Sequence, residues 1–85
     1  MTDLISCVQA MSQIEKLIKK LRNAKAEARA SDIERFLIHM GFEKDRQRGS
    51  HVQFCRESTT LGFVMHKGKV KIVYLKDILH FFNLL

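Results

Sequence analysis

The stretch RQRGSHVQF, residues 46–54, decides how the second half of the chain folds. After the Gly-Ser pair, apolar and polar residues alternate, which is the period of a β-strand with one buried face. A Gly-Ser pair between two such segments predicts a tight turn. Val52 and Phe54 are the large apolar pair, so we expect them to face a core. His51 and Gln53 should then lie on the opposite, open face, because strand side chains alternate.

The same period continues on both sides of this stretch. We predict three antiparallel strands at residues 42–48, 51–57 and 61–66, with a turn at residues 58–60. In the third strand the apolar alternants predict that His66 shares the open face with His51. Residues 67–71 are interpreted as a basic loop. A last helix follows, with core positions at Leu75, Ile78, Leu79 and Phe82.

Two helices are predicted before the strands. Residues 3–23 carry an apolar stripe at helical spacing, formed by Leu4, Cys7, Met11, Ile14, Ile18 and Leu21. Such a stripe must pack on the chain's own body, on a second copy in a homodimer, or on a partner. Residues 24–30 are alanine-rich and either extend this helix or form a linker. Met11 is an alternative translation start.

The second helix is predicted at residues 32–40. Ser31-Asp32-Ile33-Glu34 has the pattern of a capping box, in which Ser31 and Glu34 bond each other's free backbone amides. Apolar residues follow at positions i, i+3, i+4 and i+7, and Gly41 supplies the stop. The element order predicts an α+β fold, a three-stranded antiparallel sheet with helices on one face (α-α-β-β-β-α). Residues 1–30 would be an N-terminal helical extension and residues 31–85 the core of one domain.

Composition narrows the classes of function. The chain has 85 residues and a formal net charge of +6, which favours a polyanionic partner such as nucleic acid, or an acidic protein. No apolar run approaches the roughly 20 residues of a membrane span, and the N-terminus does not resemble a secretory signal. The separated cysteines, Cys7 and Cys55, favour reduced thiols in a cytoplasm over a disulfide framework.

The candidate site surrounds His51, with His66 as a second acid or base. Candidate RNA-binding residues are Lys44, Arg46, Arg48, Ser50, Lys67, Lys69 and Lys71, because cationic and hydroxyl side chains contact phosphate. Three simpler interpretations remain open. The basic residues could form a solvated surface, residues 49–50 could be only a tight turn with no part in a site, and His51 could be an exposed residue without a role. Histidine and cysteine spacings do not match a structural metal site, so we expect neither a metal nor a cofactor.

These residues resemble a known family. Gly41-Phe42 followed by residues 46–54 resembles the GF…RQ.GSH..F block of HicA-type toxins, the mRNA interferases of type II toxin–antitoxin systems. Residues 69–79 (KVKIVYLKDIL) are similar to the family's K.VKP.YL..IL segment, with Ile72 where proline is usual. Residues 11–21 (MSQIEKLIKKL) resemble the extra N-terminal helix of a longer subgroup.

The resemblance implies a double-stranded-RNA-binding-domain-like fold with His51 as the catalytic residue. It also implies a ribosome-independent, metal-independent RNase on mRNA, inhibited by a HicB-type antitoxin that covers the active face. In a metal-free RNase, neutral His51 would take the proton of a ribose 2′-OH, a role that suits imidazole's ordinary pKa near 6.5. Arginine or lysine would stabilise the phosphorane, and His66, water or a lysine would protonate the leaving oxygen. The rival interpretation is a binding module for RNA or an acidic protein that cuts nothing.

Overall fold

A computed structural model describes residues 12–85 of the chain. Its elements in chain order are α1 (Gln13–Arg22), β1 (Glu27–Arg29), α2 (Ala30–His39), β2 (Glu43–Arg48), β3 (His51–Arg56), β4 (Thr59–His66), β5 (Lys69–Lys71) and α3 (Ile72–Phe81). The predicted helix over residues 3–11, the pairing state of Cys7 and the alternative start at Met11 lie outside the described residues.

The α+β class is confirmed, but the predicted number of strands was wrong. One antiparallel sheet holds five strands in the order β1-β5-β4-β3-β2. The predicted turn at residues 58–60 shortens to Glu57 and Ser58, because Thr59 and Thr60 belong to β4. The two additional strands have three residues each and lie in segments interpreted as a linker and a basic loop.

Strands β1 and β5 exist because they pair with each other. Glu27 pairs with Lys71, and Arg29 pairs with Lys69. Lys67 and Gly68 both have positive φ, 54° and 79°, the combination that a type I′ hairpin turn requires. That turn folds β5 back onto the end of β4, where His66 pairs with Lys69. A three-residue strand with two lysines has no apolar period of its own, so only its partners identify it.

The start of α2 also differs from the prediction. The helix begins at Ala30 after Arg29, which has extended backbone and makes no side-chain cap bond. The Ala30 amide donates instead to the Gly68 carbonyl at 2.9 Å, so strand pairing holds the chain up to the first helical residue. Ser31 therefore lies inside the helix and cannot cap it. A capping box forms at α1, where Ser12 Oγ accepts from the Glu15 amide and Glu15 Oε1 accepts from the Ser12 amide.

The end of α2 follows the prediction. Gly41 has a φ of +92°, which glycine adopts without a Cβ penalty. The Gly41 amide donates to the Ile38 carbonyl and the Phe42 amide to the Leu37 carbonyl, the two bonds of a Schellman motif. This sharp stop turns the chain directly into β2 and the candidate site.

A single core lies between the helices and one face of the sheet. It contains Leu17 and Leu21 of α1, Ile33, Phe36 and Leu37 of α2, Leu75, Ile78 and Leu79 of α3, and Val52, Phe54, Phe63 and Val70 of the sheet. Of the predicted stripe, Leu21 is buried and Ile14 and Ile18 are partly buried against the core, so this part of it packs on the chain's own body, one of the three predicted alternatives. The buried Leu17 was not among the predicted stripe residues.

An ion pair also ties α1 to α2. Asp32 is 6% exposed, and its Oδ2 lies 3.0 Å from Lys20 Nζ. A carboxylate in the first turn of a helix is favoured by the helix dipole. Asp32 thus serves to anchor α1, whereas the sequence pattern had assigned this segment to capping.

Candidate functional site

The side chains of strand β3 alternate between the two faces of the sheet. Val52 and Phe54 are 1% and 0% exposed in the core, whereas the side chains of His51 and Gln53 are exposed. The prediction that His51 lies on a face without helices is confirmed by this alternation. We call that surface the open face, meaning the sheet side that carries His51, Gln53 and their cross-strand partners.

Register places two arginines of β2 beside His51. Arg48 pairs with His51 and Arg46 pairs with Gln53, so these side chains share the open face. Directly opposite residues of an antiparallel pair have Cβ atoms about 4.5–5.5 Å apart. His51 is therefore next to one guanidinium group and diagonal to a second.

Lys44 does not join this group. A bulge lies between Lys44 and Arg46, and Lys44 pairs with Phe54, whose side chain is in the core. Lys44 Nζ accordingly lies 3.8 Å from Glu34 Oε2 of α2, on the helix side of the sheet. The bulge adds one residue to β2, so Lys44 and Arg46, two positions apart, lie on opposite faces of the sheet.

The Gly49-Ser50 turn fixes where His51 begins its strand. Gly49 has a φ of +56°, the value that two-residue hairpin turns need at their first central residue. The Ser50 carbonyl accepts from the Met65 amide at 2.7 Å, and Gln47 Nε2 donates to the Gly49 carbonyl at 3.3 Å. The turn is thus tied to β4 and to β2, and His51 follows it on a paired strand.

His66 shares the open face but is offset from His51. Val64 is the direct partner of His51, and His66 lies two residues further along β4. Diagonal residues of this kind are about 7–8 Å apart. The two imidazoles therefore lie on one surface with room for a group between them.

The cations of the open face differ from the predicted set, because Arg29 joins them and Lys44 does not. Its cationic side chains by register are Arg29, Arg46, Arg48, Lys69 and Lys71, and its carboxylates are Glu27 and Glu43. Lys69 Nζ lies 3.2 Å from Glu27 Oε2, so part of its charge is compensated. Arg29 was missed because residues 24–30 look helical in isolation. Lys67 occupies the β4–β5 turn at the edge of this surface.

Arg56 serves the fold and not the open face. Its Nη1 donates to the Met40 carbonyl at 2.6 Å, at the end of α2, and its guanidinium carbon lies 4.7 Å from the centroid of the Phe42 ring. A side chain at Gly41 would approach Arg56 Cδ to 3.3 Å. Arg56 therefore closes the C-terminus of α2 beneath the core side of β3.

Two shallow depressions flank the row formed by His51 and Gln53. One, of about 320 Å³, lies on the β2 side and is lined by His51, Gln53, Arg46 and Arg48. The other, of about 260 Å³, lies on the β4 side, where Gly62, Val64 and Tyr74 join the same two residues. The first surrounds a histidine with guanidinium groups. The second places an aromatic ring at the border of the same histidine.

Two further structural features bear on the class of site. Within residues 12–85, no group of three or more His, Cys, Asp or Glu side chains is arranged to hold a metal ion. None of the helices in this part of the chain has the length and apolarity needed to cross a bilayer. On the β2 side of His51, the neighbouring side chains are guanidinium and amide groups, which contact phosphate oxygens readily.

Comparison with known proteins gives one match. The family model described as the HicA toxin of bacterial toxin–antitoxin systems matches residues 30–82. No curated protein matches the chain, and no solved structure matches it. The matched range contains α2, all of β2 to β5 and α3, and therefore the whole surroundings of His51. Helix α1 and strand β1 lie before it.

Proposed function

The chain belongs to the HicA toxin family of bacterial toxin–antitoxin systems, and from that premise we propose that it is an mRNA interferase, a metal-independent endoribonuclease with His51 as general base. The observation that carries the proposal is the placement of His51. It is exposed at the start of a paired strand, next to the buried Val52, with Arg48 directly opposite and Arg46 diagonal to it. A base that is held rigidly beside cations suits reactions in which negative charge develops on phosphate.

The proposed chemistry is a transesterification within RNA. His51 takes the proton of a ribose 2′-OH, the 2′-oxygen attacks the adjacent phosphorus, and the bond from phosphorus to the 5′-oxygen breaks. Arg46 and Arg48 stabilise the charge on the equatorial phosphoryl oxygens. The leaving 5′-oxygen accepts a proton from His66, the second histidine of the open face. The products are a 2′,3′-cyclic phosphate and a 5′-hydroxyl end.

The remaining cations of the open face would bind the RNA backbone away from the scissile bond. Lys69 and Lys71 of β5 and Arg29 of β1 extend the basic surface from the histidines to the other edge of the sheet. Ser50 and Lys67, in the two turns that border it, complete the proposed set. Contacts of this kind set position and register without reading sequence. We leave Lys44 out of the set because its side chain pairs with Glu34 on the helix side.

Membership in the family implies an antitoxin partner, and we propose a HicB-type antitoxin that covers the open face. An acidic surface would be attracted to its clustered cations and would bury His51. The proposal places the protein in the cytoplasm, where mRNA is available. The relation to a double-stranded-RNA-binding domain remains part of the proposal and is supported by the order of α2, the β-hairpins and α3. A homodimer through α1 remains a prediction, which size-exclusion chromatography at several concentrations tests.

The test is cleavage of RNA by the purified full chain in EDTA. We expect His51→Ala to slow cleavage about 100- to 10,000-fold, the usual contribution of a general base. His39→Ala is the matched control, because His39 is also exposed but lies on α2. A 2′-deoxy residue at the cleaved position should block the wild-type reaction, and mass spectrometry should find the cyclic phosphate.

The other outcomes separate the competing schemes. Equal cleavage by wild type and His51→Ala would remove His51 from the mechanism. Loss of cleavage in EDTA would remove the metal-independent scheme. RNA binding without any cleavage would favour the binding-module interpretation. His66→Ala tests the acid: an unchanged rate would assign the leaving-group proton to water or to a lysine.

A further inference from the structure

The depression on the β4 side of His51 has an aromatic wall that the proposed chemistry does not use. Tyr74 is the third residue of α3, is partly buried and packs against the core with part of its surface. It lines the depression together with His51, Gln53, Gly62 and Val64. An aromatic ring that is supported on one side and accessible on the other is a good platform for stacking.

The fold explains how a helix residue reaches the open face. In the described residues, β5 pairs only with Met65 and His66 of β4, so the β4 edge beside Gly62 and Val64 has no strand partner. Helix α3 starts directly after β5 and contacts β4, and its Tyr74 lines the depression beside Gly62 and Val64. Its first turn thus borders the sheet at the level of His51, whose direct partner is Val64.

Gly62 keeps the floor of the depression low. It pairs with Gln53 on the open face, where any other residue would add a side chain. A Cβ at this position would lie 3.2 Å from the Val52 carbonyl oxygen and 3.7 Å from Gln53 Cγ. The resulting space of about 260 Å³ is several times the roughly 30 Å³ that one water occupies in the liquid, so a planar ring can enter it.

The two depressions differ in chemistry and share a border. The β2 side offers the guanidinium groups of Arg46 and Arg48, and the β4 side offers Tyr74, Val64 and a glycine floor. His51 and Gln53 belong to both. In single-stranded RNA each phosphate is adjacent to a base, as the two depressions are adjacent to each other. Bases splayed from the strand stack on aromatic side chains.

We propose that the β4-side depression holds the nucleobase adjacent to the scissile phosphate, stacked on Tyr74. This inference rests on the proposed function, because it takes the β2 side as the phosphate site. Tyr74 would be a positioning residue: it holds the nucleotide so that the 2′-OH lies next to His51. The amide of Gln53, between the two depressions, can bond the edge of the held base. A stacked platform accepts every base, so it favours single-stranded over paired RNA without strict sequence preference.

The experiment combines Tyr74 variants with RNA that lacks single bases. Oligonucleotides carry one abasic residue at each position around the scissile bond, and kcat/KM is measured with the full chain. With wild type, loss of one particular base should slow cleavage about 5- to 100-fold, the usual worth of stacking. On intact RNA, Tyr74→Leu should lower kcat/KM by the same factor as the missing base does with wild type. The abasic residue should then cause no further decrease in kcat/KM for Tyr74→Leu. Tyr74→Phe should behave as wild type.

Val73→Ala is the matched control, because Val73 is 55% exposed on the same turn of α3 and does not line the depression. Thermal unfolding of each variant shows whether it is folded. If Tyr74→Leu is unfolded, Tyr74→Phe, which retains the aromatic ring, still tests whether the ring is sufficient for the wild-type rate. A wild-type rate for Tyr74→Leu, or an abasic penalty that persists in it, would overturn the stacking proposal while leaving the proposed RNase intact.

A readout without cleavage separates this inference from the proposed function. RNA methylated on its 2′-oxygens carries 2-aminopurine at the sensitive position, or at each position in turn if no cleavage occurs. Stacking quenches the fluorescence of this base, so wild type and Tyr74→Phe should quench it and Tyr74→Leu should not. Equal quenching by Tyr74→Leu would reject stacking. Selective quenching with no difference in cleavage between wild type and His51→Ala would support the base site and reject the catalytic role of His51.

Discussion

The two faces of strand β3 are built from adjacent residues and have opposite properties. Val52 and Phe54 are almost completely buried and hold the strand against α2 and α3. His51 and Gln53, one position away, are exposed beside two arginines. The site is therefore positioned by residues that take no part in it. The orientation of His51 is fixed because Val52, the next residue of the strand, is held in the core.

Strand β2 shows the same contrast with charged residues. Lys44 pairs across from Phe54 and reaches Glu34 on α2, whereas Arg46 and Arg48 lie on the open face. The bulge between Lys44 and Arg46 creates this difference within one short, exposed strand. Net charge alone therefore overestimates the cations available to a polyanion, and register identifies which ones face it.

The largest expected effect is on the buried side of this comparison. Phe54→Ala should lower the free energy of unfolding by about 3–5 kcal/mol, because it removes a fully buried ring that stacks near Phe63. Urea unfolding followed by circular dichroism measures it. Gln53→Ala, the adjacent exposed position, should change stability by less than about 0.5 kcal/mol. Similar losses for both variants would contradict the division into a core face and an open face.

A smaller effect is expected at Arg56, the arginine of β3 that faces the helices. Arg56→Met should cost about 1.5–3 kcal/mol of stability, because the Met40 carbonyl at the end of α2 loses a charged hydrogen-bond donor. Arg46→Met on the open face is the control and should be close to neutral. The same urea unfolding compares them. A neutral Arg56→Met would mean that the guanidinium contributes no more than a solvated surface charge.

The smallest expected effect separates the cations of β2. Replacing both Arg46 and Arg48 with Gln should reduce the slope of log Kd against log salt by about 1.4, since each phosphate contact on single-stranded nucleic acid contributes about 0.7. Lys44→Gln, on the same strand, should leave the slope unchanged. Fluorescence anisotropy with 2′-O-methylated RNA between low and moderate salt measures all three proteins. An equal change for Lys44→Gln would place RNA on the edge of β2 and not on its open face.

Much of the fold followed from local patterns. The periods of two and 3.6 predicted β2, β3, β4, α2 and α3, and Gly41 marked the end of α2. Alternation around the Gly-Ser turn predicted the orientation of His51, because Val52 and Phe54 allow only one face to be buried. These features depend on residues that are close in sequence, so they can be predicted from the sequence alone.

Other features depend on contacts between distant residues. Strands β1 and β5 are too short and too charged to show a period, and each is stabilised by pairing with the other. The Ile72 amide donates to the Ala26 carbonyl at 3.0 Å. A proline, which the resemblance to the family leads one to expect at this position, has no amide hydrogen to donate. The hydrogen bond between the segment before α2 and the start of α3 therefore cannot be predicted from the sequence of either segment alone.

Patterns in the sequence were enough to predict the α+β class, the hairpin at Gly49-Ser50, the exposure of His51 and the resemblance to one toxin family. Four features follow from tertiary contacts: Lys44 lies off the open face, Arg29 lies on it, Arg56 bonds the end of α2, and Tyr74 borders His51. The reason is the distance along the chain over which each kind of interaction acts. Side-chain alternation and turn geometry act over a few residues, whereas strand register, the bulge in β2 and the place of α3 beside β4 are set by packing across the whole chain.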